Sequence, residues 1–280
     1  MGPVRIARFA VTACALLGLA TPVLASPDGR AIVRRMNAAM QSAVTSAASY
    51  QAVIDMNMTM GEMGTMVSTL DLKVIPGKSL RIVTTPSDKS TGMFAMAAAQ
   101  GAMQMVDDGK TLWIYQPALK QYMKQPSQIA TMGPGALRNL PGVGNQLDEE
   151  TLKNSRVVVT GTRTVQGRPA HVVQVTPNRP ARGVQSMTLL IDRATHRLRG
   201  ITTVANQPVA QGQPPQRMTV QITFRNERVG AAIPASVFRF TPPPGSTEVQ
   251  MPAQGRPGGA QGRPGGAPGR PGGAPPPPNR

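Results

Sequence analysis

Cysteine is almost missing from this 280-residue chain: Cys14 is the only one. It falls in an N-terminal stretch read below as a targeting signal, so the mature chain would carry none. That excludes disulfides, thiol catalysis and cysteine metal sites. Histidine is nearly as scarce, with His171 inside a strand-like stretch and His196 in a turn. Neither sits in a GxSxG elbow or an HExxH pair. Asp107-Asp108 and Asp148-Glu149-Glu150 read as turn and helix-start carboxylates, so catalysis is not expected and no cofactor or metal is implied. Aromatic residues make up 3% of the chain, with Trp113 the single tryptophan, so Met, Val, Leu and Ile must fill the core. Acidic residues number 13 against 30 basic ones, a net charge of +17. Such a balance favours acidic partners. With few aromatics to stack bases, nucleic acid is not expected; anionic lipid surfaces or acidic envelope polymers fit better.

What is present begins with a signal. Arg5 and Arg8 precede the apolar run Phe9 to Ala20, and Val23-Leu24-Ala25 ends in a small residue. This pattern predicts a cleavable signal peptide over 1–25, with the mature chain starting at Ser26. The apolar run is shorter than the roughly 20 residues a membrane span needs. At the other end, residues 253–280 repeat Gln-Gly-Arg-Pro-Gly-Gly-Ala and close on a proline run. That composition has almost nothing apolar to bury and predicts a disordered basic tail, suited to anionic membrane surfaces. Between them, 26–252 reads as a single domain.

Asp28 is positioned to cap a helix over Arg30 to Ala48, where Ile32, Met36, Met40 and Val44 recur every fourth residue. Strands follow. From Tyr50 to Met60 the alternation puts Tyr50, Ala52, Ile54, Met56, Met58 and Met60 on one face. Leu70, Leu72 and Val74 repeat the pattern up to Pro76-Gly77, then Leu80 and Ile82. Phe94 to Ala102 has the composition of a short helix. Asp108-Gly109 predicts a two-residue hairpin turn with positive φ at both positions. It joins the strand holding Met105 to the one holding Trp113. Ala136 to Leu140 is a candidate helical turn and Asp148 to Glu150 a helix start. Five further strands run over Arg156–Arg163, Ala170–Thr176, Gln185–Asp192, Leu198–Val204 and Arg217–Glu227. They carry Met187, Leu189, Ile191, Met218, Val220, Ile222 and Phe224 on apolar faces. The sum is a mainly β, α+β fold: an unclosed antiparallel barrel of about ten or eleven strands that must curl, with short helices.

Several motifs resemble those of periplasmic lipoprotein carriers of the LolA type. The hairpin from Asp108 to Pro117 (Asp-Gly-Lys-Thr-Leu-Trp-Ile-Tyr-Gln-Pro), followed by Gln121, is one. Val237 to Gly245 (Val-Phe-Arg-Phe-Thr-Pro-Pro-Pro-Gly) is similar to the closing strand and Pro-Pro-x-Gly segment of these carriers. Leu189 to Thr195 is a weaker third, and the order agrees over roughly Ala31 to Val249. The resemblance implies a periplasmic, monomeric, non-catalytic half-barrel. Its apolar concavity would receive acyl chains of lipoproteins or lipids. Lining would come from Ile54, Met56, Met58, Met60, Leu70, Leu72, Val74, Leu80, Ile82, Met105, Trp113, Met187, Leu189, Ile191, Met218, Val220, Ile222 and Phe224. Ile32, Met36 and Met40 would belong to its lid. Inner- and outer-membrane lipoprotein-sorting components would be partners. The same superfamily includes sensing regulators of envelope stress. One departure stands out: Ile75-Pro76 replaces the Arg-Pro pair whose arginine latches the lid in the carriers.

A rival reading comes from Met56-x-Met58-x-Met60-x-x-Met63-x-x-Met66, since soft thioethers select Cu(I). In a lone strand, Met56, Met58 and Met60 lie about 7 Å apart, too far to share one ion unless the chain bends at Gly61 and Gly64.

Overall fold

The computed structural model describes residues 28–127, 129, 147–179, 183–207 and 215–250. Residues 1–25, expected to be a signal peptide, the candidate turn at Ala136 to Leu140 and residues 253–280 lie outside them. Alternation of apolar and polar residues builds strand after strand. β1 (Tyr50–Met60), β2 (Gly64–Ile75), β3 (Ser79–Pro86), β4 (Met103–Asp107), β5 (Thr111–Gln116) and β6 (Gln121–Pro126) form one meander. A second comprises β7 (Ser155–Val165), β8 (Arg168–Pro177), β9 (Val184–Asp192), β10 (Leu198–Gln207) and β11 (Gln216–Val229). They join where β1 pairs with β11. With the short β12 (Thr247–Glu248), the sheet runs β12-β6-β5-β4-β3-β2-β1-β11-β10-β9-β8-β7. All pairs are antiparallel except β12 with β6. No pairing joins β7 to β12, so the barrel stays open.

The helix predicted at Asp28 forms as α1 (Gly29–Thr45), with the Asp28 carboxylate accepting the Arg30 N–H at 2.9 Å. Its apolar stripe of Ile32, Val33, Met36, Met40 and Ala43 is at most 5% exposed. It packs on the concave face, against Tyr50, Ala52 and Ile54 of β1, Leu72 and Val74 of β2, Leu189 and Ile191 of β9 and Phe224 of β11. Polar contacts pin the helix at the β7 edge. Arg34 makes a two-pronged ion pair with Glu149 (2.7 and 3.0 Å). Asn37 donates to the Leu147 carbonyl at 2.6 Å. Glu149 begins α3 (Glu149–Lys153), capped by Asp148, which accepts from Thr151 N–H.

One end of the half-barrel is closed by a polar network that is buried at Asp192 and Arg199. The Gln166 side chain reaches the Phe224 carbonyl at 2.8 Å. Asp192 accepts from Arg199 (3.1 and 3.2 Å) and from the backbone N–H groups of Ala194 and Thr195. Burial pushes its carboxyl up, but those hydrogen bonds outweigh it and hold the pKa below its ordinary value. Glu227 is fully buried, 3.6 Å from Arg199 and 3.8 Å from Arg197, and accepts from the Tyr50 hydroxyl at 3.2 Å. Here burial outweighs the two guanidinium groups and raises the Glu227 pKa.

Two local expectations change. The β4–β5 connection has three residues, 108–110, and only Gly109 has positive φ (+89°). The Asp108 carboxylate accepts from the N–H groups of Lys110 (2.8 Å) and Thr111 (2.7 Å), which replaces the two-residue turn with an Asx-type loop. The stretch from Val237 is also no strand. Ala235–Phe238 forms a 3-10 turn, and the chain then straps the convex face, where Phe240 meets Trp113 and Tyr115 with ring centroids 5.5 Å apart.

Candidate functional site

The open end of the concave face is where the structure leaves apolar space. β3 leads into a segment that keeps following β2. Ser87 N–H donates to the Val67 carbonyl (2.8 Å), Thr91 N–H to the Thr65 carbonyl (2.8 Å), and Val67 N–H to Ser90 Oγ (3.1 Å). Gly92 (φ +62°) and Gly64 (φ +107°) then pass back to back. A Cβ on Gly92 would collide with the Met63 carbonyl, and one on Gly64 with that of Thr91. Only glycine serves at either position. This turn launches α2 (Met93–Ala99), the Ala/Met helix expected from composition. The i, i+3, i+4 spacing turns Phe94, Ala97 and Ala98 toward the sheet. Met93 and Met96 face outward, 58% and 79% exposed.

Beneath α2 lies a cavity of about 260 Å³. β1 and β2 contribute Met56, Met66, Ser68 and Leu70; β3 and β4 contribute Thr84, Pro86 and Met103; α2 contributes the roof. None of its lining residues is charged. A larger cavity of about 480 Å³ opens beside α3 and the β8–β9 end, but Asp148, Glu150 and Arg179 line it. An acyl chain gains nothing from desolvating such groups, so the space under α2 is the candidate site.

Register decides where each predicted residue falls. The cross-strand row Leu72, Ile82, Met105, Ile114 continues the face of Ile54 across β2 to β5. Ile54, Leu70, Leu72, Val74, Ile82, Leu189, Ile191, Ile222 and Phe224 all lie on the concave face at 0–6% exposure, most of them within the core that α1 fills. Only Leu70 of these also borders the cavity. Leu80, Met105, Met187 and Val220 pack partly buried at the margin of that core. Met56 reaches the cavity, while Met58, Met60 and Met218 stand half-buried further toward the open end. Trp113 alone is on the other side. It pairs with Lys124 and Val106, one position out of phase with Ile114, and stacks on Phe240 and Tyr122 on the convex face. Ile32, Met36 and Met40 are buried in the core, and the element roofing free space is α2. Met66, Ser68, Thr84, Pro86, Phe94, Ala97, Ala98 and Met103 were not among the predicted lining. For Met66 and Ser68 the signal was there, in the same alternation that selected Leu70.

Among the described residues the protein is thus a twelve-stranded open half-barrel with one helix seated in its concavity and a second over its mouth. Solved structures similar to it include a LolA superfamily protein from Nitrosomonas europaea (9% identity over 76% of this chain and 97% of the other, TM-score 0.32). MucB is another, at 19% identity over 78% of this chain and 64% of MucB, TM-score 0.42. A third is the Mycobacterium tuberculosis lipoprotein LppX, at 14% identity over 75% and 98%, TM-score 0.42. At such identities and TM-scores the likeness carries no function across. No protein-family model matches the chain, and no curated protein does.

Proposed function

We propose that this protein is a non-catalytic binder or carrier of acyl chains, from lipids or lipoproteins, which it holds under α2. It would act in the periplasm, in outer-membrane lipoprotein sorting or envelope homeostasis. The uncharged cavity between α2 and the concave face carries the proposal. Each methylene moved from water into such a space contributes about 0.8 kcal/mol, and methionine side chains adapt to chains of varied shape. The volume lies below the roughly 300–1,000 Å³ of typical ligand pockets, so a full acyl chain requires α2 to swing outward. Gly92 and Gly101, both at positive φ, flank it as pivots. With Ile75 at the end of β2, no arginine latch is available there, so the reading covers binding and transfer without a charged lock. The basic tail would hold the carrier near anionic surfaces.

The test is displacement of a fluorescent fatty acid from the purified protein, with mass spectrometry of any co-purified lipid. Acylated peptide or phospholipid should compete the probe away. A protein that binds neither probe nor lipid refutes the proposal.

A further inference from the structure

Methionine is unusually frequent, 17 residues against five phenylalanines, and its placement follows two patterns. Met36 and Met40 are core filler at 1% and 3% exposure. A second group gathers half-buried at the open end of the sheet. Met58 of β1 lies directly opposite Met66 of β2, and Met60 of β1 directly opposite Met218 of β11. Cross-strand partners share a face, so all four project from the concave side, next to Met56. Directly opposed Cβ atoms are about 5 Å apart, and Met58 to Met60 is about 7 Å along the strand. Each thioether hangs on three rotatable bonds. Sulfurs from Met58, Met60 and Met66 can therefore meet at one point with no change of backbone. The separation that rules out a single strand is overcome by pairing with its neighbours.

The surroundings fit a soft ion. The cross-strand partners interleaved with these methionines are Ser68, Gly64, Val220 and Ile222, none of them charged. Among the described residues no group of three or more His, Cys, Asp or Glu could hold a metal. Neutral sulfur donors without oxygen or nitrogen partners prefer Cu(I) to Zn(II) or the hard divalent ions. Met58, Met60 and Met218 lie outside the cavity lining, so acyl-chain binding does not account for them.

We propose that Met58, Met60 and Met66, with Met218 as a further donor, form a thioether site for a soft monovalent cation, Cu(I) or its redox-inert analogue Ag(I). The site does not depend on acyl-chain binding. The test is anaerobic competition of the purified protein for Cu(I) against bathocuproine disulfonate. Ag(I) is titrated in parallel, and the methionine methyl resonances are followed by NMR. The wild type should take a single equivalent, with the Met58, Met60 and Met66 methyl groups shifting together. In the M58L/M60L variant affinity should fall at least about tenfold. The same variant should bind the fluorescent fatty acid within about twofold of wild type, because neither position lines the cavity and leucine conserves apolarity and approximate volume. Failure of the wild type to take Cu(I) from the chelator overturns the site. So does equal affinity in the variant, or a shift confined to the exposed Met93 and Met96. The methyl shifts in the wild type decide the matter even if the variant does not fold.

Discussion

Filling the space under α2 should abolish acyl binding while leaving the fold intact. Ala98 is the position to use. It lies on the inner side of α2, one turn from Phe94, and borders the cavity of about 260 Å³. Ala98→Trp would place an indole where the ligand goes. If the ring displaces about four methylenes at about 0.8 kcal/mol each, the loss is about 3 kcal/mol, or about a hundredfold in Kd. The tryptophan would also bury its own apolar surface, so α2 should sit more firmly on the sheet and thermal stability should not fall. The assay is titration of a fluorescent fatty acid, with circular dichroism to show that the strands persist. Val158→Trp, at a residue 37% exposed on β7, is the control and should bind as wild type does. Unchanged affinity in A98W, with the fold intact, would refute the assignment of the cavity.

Gly92→Ala should destabilise the protein by about 2–3 kcal/mol, through a disfavoured φ and collision with the Met63 carbonyl; chemical denaturation measures this, and a cost below about 0.5 kcal/mol would show that the turn yields freely. Unlabelled lipid should leave Trp113 emission unchanged because the ring stacks on Phe240 behind the sheet, whereas Phe240→Ala should shift it to the red. Glu227 gives a pH dependence. Its folded pKa is raised above 4.5 by burial. The wild type should therefore hold its full stability relative to Glu227→Gln below pH 4.5 and lose ground as pH rises through the folded value. Melting curves between pH 4 and 8 test that sign, and a gap that moves the opposite way would contradict it.

Most strands were legible because one face of each is buried. Alternation from Tyr50 to Met60, or from Met218 to Phe224, fixes both the strand and its inward face. Where both faces are covered, that signal is lost. Leu112-Trp113-Ile114-Tyr115 is apolar throughout: Ile114 continues the concave row of Leu72, Ile82 and Met105, and Trp113 and Tyr115 meet Phe240 of the strap on the other face. Nothing local in the sequence distinguishes Ile114 as the inward residue. The strap itself misled, since Val237-Phe238-Arg239-Phe240 alternates like a strand yet packs as a turn, its rings anchored on β5 from more than a hundred residues away. The site was legible in kind and incomplete in place. The methionine-rich face was readable from spacing, but not that α1 would occupy most of the concavity and leave space only beneath α2. Nor did the spacing show that Met66 and Met218 flank Met58 and Met60. Such juxtapositions depend on pairings between distant segments.

The seam between β1 and β11 is the long ladder that joins the two meanders, with the Phe240 strap and the short β12 crossing back to β5 and β6. Within each meander every strand pairs with its sequence neighbour, so the contacts inside each half are local in sequence. The β1–β11 pairing, Tyr50–Val229 through Met60–Met218, must close over some 160–180 residues and comes late in folding for that reason. The protein is accordingly a natural candidate for reconstitution from fragments. Peptides covering 26–128 and 146–252 should each be poorly ordered alone and recover the strand spectrum when mixed, with the thioether group and α1's seat both restored across the seam. Failure to combine would mean that the covalent link between the meanders is needed to align them.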